Sequence, residues 1–169
     1  GTADSAFVRA AKYGAGLCRL ELKDYKRALE EFRAFLDQYQ SGDFMHEAAW
    51  GAGQACLAQG AYADAEEYFR QAVADDYAGE AAAKARYGLG LAAFQQKQWE
   101  KAREEFLKVE AFHGQWTEWA SLALLKASNA SLELGEKIKA RKDLELILGR
   151  YQQTSAAEKA KAALAALGG

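Results

Sequence analysis

The sequence predicts an all-α fold, a solenoid of four helix pairs followed by one C-terminal helix. Short aromatic-glycine motifs begin at Tyr13, Trp50 and Tyr87, and both intervals are 37 residues (50 − 13 and 87 − 50). The chain has no proline, and its apolar residues recur at helical spacing. A ligand-binding loop has no reason to recur at a fixed interval, whereas a structural repeat does.

Length and charge limit the classes of protein. The 169 residues are enough for one domain with a sizeable core, and we predict a single domain over 1–169. The net charge of −2 gives no field that would attract nucleic acid or an anionic membrane. No apolar run approaches the roughly 18–20 residues that span a membrane, so we expect no membrane insertion by this segment.

The 37-residue interval is kept by glycine, alanine and aromatic positions. The matching triplets are Gly14/Gly51/Gly88, Gly16/Gly53/Gly90, Tyr25/Tyr62/Trp99, Ala28/Ala65/Ala102 and Phe32/Phe69/Phe106. A fourth, degraded copy has Leu125 in the aromatic position, Ser128 in the second glycine position, Gly135 in the turn and Leu144 in the Phe position. The predicted repeats therefore span about 6–42, 43–79, 80–116 and 117–153.

Each repeat is predicted to contain two helices separated by a short turn. Asp24 is a suitable N-cap for the second helix of repeat one, and Gly60 and Gly135 suit helix ends. Ser155 and Glu158 form a capping-box pattern that predicts the start of a final helix, about 155–167.

The six motif glycines are predicted to be packing positions. Each lies inside a predicted helix, whereas a phosphate-binding loop places glycine between a strand and a helix N-terminus. A glycine inside a helix costs about 1 kcal/mol relative to alanine. We therefore expect these glycines to allow close contact with a neighbouring helix or aromatic ring.

The second helices carry an alanine three residues before a phenylalanine, preceded by an aromatic residue. YADAEEYF at 62–69 and WEKAREEF at 99–106 resemble the tetratricopeptide repeat, which implies a right-handed superhelical solenoid with the final helix as its cap. The resemblance covers nearly the whole chain, although the interval exceeds the usual 34 residues and the closing proline is missing.

The long tails of these repeats resemble the bacterial envelope subgroup, which includes the Tol-Pal-associated periplasmic protein and outer-membrane assembly lipoproteins. This resemblance implies the periplasm or cell envelope of a bacterium, with the cytoplasm as the alternative.

In related repeats the first helices line a concave groove. The corresponding stripe predicts the partner-binding residues Tyr13, Leu17, Trp50, Gln54, Tyr87, Leu91, Leu125 and Asn129, with Phe7, Phe44 and Trp119 one turn earlier. Two interpretations of the Tyr13, Trp50 and Tyr87 set stay open: a ladder that binds a ligand, or filler between consecutive first helices. The stripe positions at which some relatives hold a carboxylate are uncharged here, so we expect an apolar or extended ligand.

The leading functional hypothesis is a non-enzymatic scaffold that binds a protein or peptide in this groove. The alternative is a structural segment of a longer solenoid or oligomer. We expect no cofactor, no metal site and no nucleic-acid partner, and leave oligomerisation open. His46 and His113 are expected at the surface, and Cys18 and Cys56 are expected to be buried, unpaired thiols.

Overall fold

The computed structural model describes residues 6–74 and 79–168, which form helices joined by short turns in two compact units. The first unit contains α1 (Ala6–Glu21), α2 (Tyr25–Gln38), α3 (Met45–Ala58) and α4 (Tyr62–Ala72). The second unit contains α5 (Glu80–Gln95), α6 (Trp99–His113), α7 (Thr117–Glu133), α8 (Lys137–Arg150) and α9 (Ser155–Gly168). The all-α prediction is confirmed, and each predicted repeat interval contains two helices.

The turn between the two helices of each pair has the same backbone conformation in all four repeats. Gly60 and Gly135 have φ of +76°, as expected for glycines at helix ends. The equivalent residues of the other pairs are Lys23 and Lys97, each with φ of +58°. Asp24 is confirmed as an N-cap, because its carboxylate accepts a hydrogen bond from the amide of Arg27 at 3.4 Å.

The core of the first unit lies between α2 and α3. Phe32 and Phe35 of α2 are almost completely buried and pack with alanines of α3. These alanines are Ala48, Ala52 and Ala55. Their small side chains leave room for the rings, so a bulky pair from one helix fits a small-residue face of the next.

The same arrangement recurs twice in the second unit. Phe106 and Val109 of α6 pack with the α7 alanines Ala123 and Ala127. One pair later, Leu144 and Ile147 of α8 pack with alanines of α9. These alanines are Ala156, Ala157 and Ala160. The final helix therefore covers the last helix pair as a further first helix would.

Four of the motif glycines make the close contacts that the sequence predicts. A Cβ on Gly16, Gly53 or Gly90 would lie 2.4–2.6 Å from the phenylalanine of the same repeat. These phenylalanines are Phe32, Phe69 and Phe106. A Cβ on Gly51 would lie 2.4 Å from Phe32, in the preceding repeat.

The packing prediction is wrong for Gly14, where a Cβ would meet nothing within 4 Å. Gly14 is equivalent to Gly51, whose contact is the phenylalanine of the preceding pair. Within the described residues no helix precedes α1, so Gly14 has no such neighbour.

The predicted capping box at the start of α9 is also wrong. Ser155 is the first residue of α9, and its amide and hydroxyl both donate hydrogen bonds to Glu118 at the start of α7. Glu158 instead pairs with Lys161 at 2.6 Å. The serine therefore joins α9 to α7 and does not cap its own helix.

Candidate partner-binding surface

The predicted groove residues lie between the core and solvent. All of them are half-buried except Phe7, which is 81% exposed. By contrast, Phe32, Phe69 and Phe106 expose no surface. The first-helix aromatics and these phenylalanines therefore have different environments. The third periodic set, Tyr25, Tyr62 and Trp99 at the start of the second helices, is half-buried like the first-helix set.

In the first unit, Tyr13 of α1 stacks on Phe44. The ring centroids are 4.9 Å apart and the planes differ by 15°. The Tyr13 ring also lies 6.2 Å from Phe32 and 6.3 Å from Phe35. Phe44 immediately precedes α3 and has φ of +67°, a conformation that side-chain-bearing residues rarely adopt. The stack therefore accompanies a strained backbone at the start of α3.

In the second unit, Tyr87 of α5 makes the equivalent contact with Trp119 of α7. Their ring centroids are 5.6 Å apart, and Tyr87 lies 5.5 Å from Phe106. Burial raises the pKa of Tyr87 to about 12, so its hydroxyl stays neutral in ordinary buffers. Tyr13 and Tyr87 therefore fill space between first helices, whereas ligand binding by the same rings stays a prediction.

A polar cluster fixes the Trp119 indole on this surface. Its Nε1 donates a hydrogen bond to Glu80 at 3.0 Å, and Lys84 pairs with Glu80 at 3.1 Å. The Lys84 ammonium also lies 5.7 Å from the centroid of the Trp119 ring. The hydrogen bond from Trp119, followed by the contact with Lys84, lowers the pKa of the Glu80 carboxyl. The indole is thus held from both its edge and its face.

A second lysine on this surface was not predicted. Lys126 of α7 is half-buried, and its ammonium lies 5.7 Å from the centroid of the Phe94 ring of α5. Among the residues that the structure describes, no carboxylate pairs with Lys126. Lys126 lies between the predicted positions Leu125 and Asn129 in the sequence. The otherwise uncharged stripe of the second unit therefore has a positively charged side chain beside it.

The prediction of a surface position for His113 is wrong, because this residue is 5% exposed. It follows Ala102, Phe106 and Val109 at intervals of 4, 3 and 4 residues, which is the buried stripe of α6. This spacing is the sequence signal that was missed. Burial, and next the charge of Arg86 on α5, lower the pKa of His113.

The other histidine and the two cysteines differ in their environments. His46 is half-buried, with Nδ1 3.1 Å from the carbonyl oxygen of Ala72. Cys56 is buried as predicted, and burial raises the pKa of its thiol. The prediction of a buried Cys18 is wrong, because its side chain is exposed on α1.

The described ranges, 6–74 and 79–168, contain neither a metal-binding cluster nor a membrane-spanning helix. Within those ranges no group of three or more histidine, cysteine, aspartate or glutamate side chains is arranged to hold a metal ion. None of the helices described there has both the length and the apolar character that crossing a membrane requires.

Comparison with protein-family models finds matches to the tetratricopeptide repeat at residues 2–43, 24–81 and 62–115. The chain belongs to the tetratricopeptide repeat family. This membership supports a role as a protein–protein interaction scaffold. The comparisons do not confirm the resemblance to the envelope subgroup.

Among solved structures, the chain is similar to MamA (residues 41 to the end) from Desulfovibrio magneticus RS-1, with a TM-score of 0.69 and 23% identity over 85% of this chain and 76% of that one. It is equally similar to the structure named MamA RS-1 ArsTM double mutant, with a TM-score of 0.69 and 23% identity over 86% of this chain and 77% of that one. At this identity the likeness shows the fold alone. No curated protein sequence matches the chain.

Proposed function

We propose that this chain is a non-enzymatic scaffold that binds a protein or peptide segment on the half-buried stripe of its first helices. In the first unit the proposed surface comprises the half-buried residues Tyr13, Leu17, Trp50, Gln54 and Phe44, together with the exposed Phe7. In the second unit it comprises Tyr87, Leu91, Leu125 and Asn129, with Trp119.

The observation that carries this proposal is that the first-helix aromatics are partly exposed, whereas the phenylalanines of the second helices that share their interval are not. The periodic phenylalanines Phe32, Phe69 and Phe106 of the second helices expose no surface. The first-helix aromatics keep part of their surface exposed although each has the same 37-residue interval. Partly exposed Tyr and Trp side chains on a rigid helical frame are the residues that most often dominate protein-binding surfaces.

The experiment starts from peptides selected from a displayed random library on the intact chain. Each selected peptide is then titrated against variants that place a guanidinium on the stripe without removing a core side chain. Gln54→Arg tests the first unit and Asn129→Arg tests the second, since both residues are polar and half-buried. Loss of about 2 kcal/mol, roughly 30-fold in affinity, is expected from the variant whose unit binds the peptide.

Matched controls carry the same new side chain on the second helices. Gln71→Arg on α4 and Glu145→Arg on α8 alter exposed positions and should leave affinity unchanged. Peptides that bind all stripe variants with unchanged affinity, or that respond only to the control variants, would refute the proposed surface.

A further inference from the structure

The fourth helix pair departs from the repeat at the start of its second helix, α8. Positions of the third repeat recur 38 residues later in the fourth (125 − 87). Three positions of α8 differ in chemical type: Lys137 in place of Trp99, Ile138 in place of Glu100, and Lys142 in place of Glu104. The last position is glutamate in all three earlier repeats. An aromatic residue and two carboxylates are thus replaced by two cations and an isoleucine.

The replaced aromatic residue has a packing role in the third repeat that a lysine does not have. Trp99 packs edge-on against Phe94 of α5, with ring centroids 4.8 Å apart. Leu132 occupies the position of Phe94 in the fourth repeat and is 37% exposed, and Lys137 is itself exposed. Ile138 is 75% exposed. Two large apolar side chains are therefore left in solvent where α7 ends and α8 begins.

The charges at the start of α8 oppose helix formation. Its first turn contains no acidic residue, and the N-cap residue Glu136 makes no capping hydrogen bond. Cations near a helix N-terminus are unfavourable, because they face the positive end of the helix dipole. Lys137 and Arg141 are also a like-charged pair at i and i+4, which destabilises a helix. A departure from several local rules without a structural gain is typical of a functional surface.

Two of the four cations in this segment have no acidic partner. Lys139 pairs with Glu136 at 2.7 Å, and the Arg141 guanidinium donates a hydrogen bond to a main-chain carbonyl oxygen of α9 at 3.2 Å. Among the residues that the structure describes, Lys137 and Lys142 form no ion pair. The positive charge of the segment is therefore only partly neutralised within the chain.

We propose that this basic patch, which comprises Lys137, Ile138, Arg141 and Lys142, binds an acidic segment of a partner protein that has a bulky apolar side chain between its carboxylates. Arg141 and Lys142 follow Ile138 by three and four residues, so the three side chains are neighbours on one face of α8. The apolar side chain of the segment covers Ile138, and its carboxylates pair with the surrounding cations. The patch lies on a second helix and is separate from the stripe of the first helices.

Acidic residues at both ends of the patch limit the size of the partner. Glu136 precedes the patch, and Glu145 follows it as an exposed residue that forms no ion pair within the described part of the chain. From Lys137 to Lys142 the helix rises only about 7.5 Å. A nucleic-acid duplex or a bilayer extends well beyond this length and would also meet the two carboxylates, whereas a short acidic segment fits between them. The net charge of −2 likewise gives a polyanion no long-range attraction.

The probe is a synthetic peptide with one phenylalanine between two pairs of glutamates, titrated into the full chain and followed by amide chemical shifts. We expect saturable shifts that centre on the basic patch. Lys142→Glu, which reverses one charge, should weaken binding at least about tenfold at low salt. Ile138→Ser, which removes the apolar contact, should weaken it about tenfold. Peptides with glutamine in place of glutamate, or with alanine in place of phenylalanine, should lose as much affinity.

The controls separate binding from folding and from the first-helix stripe. Lys142→Glu restores the residue of the earlier repeats, so its unfolding temperature should be no lower than that of the parent chain. Lys26→Glu reverses an exposed cation at the position of α2 that corresponds to Ile138, and it should leave the affinity for the probe unchanged. Peptides selected on the first-helix stripe should keep their affinity for Lys142→Glu, so the two proposals can fail separately.

Three results with the probe would overturn the proposal: no saturable shifts, equal affinity for the glutamine peptide, or a lower unfolding temperature of Lys142→Glu, which would give this cation a structural role. Tighter binding of vesicles that contain phosphatidylserine, or of a short DNA duplex, would assign the patch to a membrane or to nucleic acid if Lys142→Glu abolished it. A dimer of the parent chain that Lys142→Glu dissociates in sedimentation would assign the patch to a second copy. Either assignment would overturn the choice of an acidic partner segment.

Discussion

Two glycines in the same turn of α1 should respond oppositely to the same substitution. Gly14 and Gly16 both lie inside the helix, so alanine at either position should gain about 0.8–1.0 kcal/mol of helix propensity. A Cβ on Gly14 meets nothing within 4 Å, whereas a Cβ on Gly16 would lie 2.6 Å from Cε1 of Phe32. The expected gain in helix propensity is therefore the same at both sites, and only the contact with Phe32 differs.

The magnitudes follow from this difference. Gly14→Ala should raise the free energy of unfolding by about 1 kcal/mol. At Gly16 the methyl group contacts a ring that is completely buried and cannot move aside freely. Overpacking of this kind costs about 1–3 kcal/mol, which cancels or exceeds the gain in propensity. We expect Gly16→Ala to be about 1–3 kcal/mol less stable than Gly14→Ala.

The measurement is urea unfolding followed by circular dichroism, with amide hydrogen exchange of α1 and α2 to assign the change to the first unit. Gly51→Ala supplies a second crowded site, because its Cβ would lie 2.4 Å from the same Phe32 ring. Gly149→Ala in α8 supplies a second open one. Equal stability of Gly14→Ala and Gly16→Ala would refute the packing explanation for the recurring motif.

Three further predictions concern single residues. Lys23→Gly and Lys97→Gly should each stabilise the fold by about 0.5–1 kcal/mol in thermal unfolding, since both lysines have φ of +58° where Gly60 and Gly135 stand in the other repeats. Cys18 should react quickly with a thiol reagent in the native chain and Cys56 only after unfolding; comparable rates would contradict the difference in burial. Tyr87→Phe should remove the tyrosine that ionises near pH 12 in a spectrophotometric titration, and an unchanged high-pH limb would contradict its burial.

The sequence predicts the repeating part of this fold well because several of its contacts join residues of the same repeat. Gly53 and Phe69 belong to one 37-residue repeat, as do Gly90 and Phe106. The constant separation of each pair in the sequence therefore predicts the contact. The residues at an edge of the series are different. Cys18 and Gly14 have the same register as buried residues of α3, yet they are uncovered because burial depends on a neighbour that register cannot supply.

The candidate surface was predicted in outline only. Periodicity predicts the positions of Tyr13 and Tyr87 but not their ring contacts with Phe44 and Trp119, because each contact joins two different register positions in consecutive repeats. The sequence does not predict the contact of Lys126 with Phe94, because a lysine on a helix is ordinarily solvated. The two residues lie on different helices that only the tertiary structure brings together. Long-range side-chain geometry of this kind has no one-dimensional pattern.

The burial of His113 gives the stability of the fold a dependence on pH. Its pKa is lowered in the folded chain, first by burial and then by the charge of Arg86, so the folded state favours the neutral ring. As the pH falls below about 6.5, the ordinary pKa of histidine, the unfolded chain takes up a proton that the folded chain resists. The stabilisation is therefore present above pH 6.5 and is lost as the pH falls towards the folded-state pKa.

The measurement is the free energy of unfolding in urea at several values between pH 7.5 and pH 5. Carboxylates such as Glu80, whose pKa is lowered in the fold, also lose stabilisation at acid pH, so the slope of the parent chain alone is not diagnostic. The informative quantity is the difference from His113→Phe and from His113→Gln, one apolar and one polar replacement that cannot take up the proton. Both should flatten the dependence between pH 7 and pH 5, whatever their effect on stability at pH 7.5. If both variants keep the pH dependence of the parent chain, His113 is not the group responsible for it. Burial in α6 would then not oppose protonation of the His113 ring.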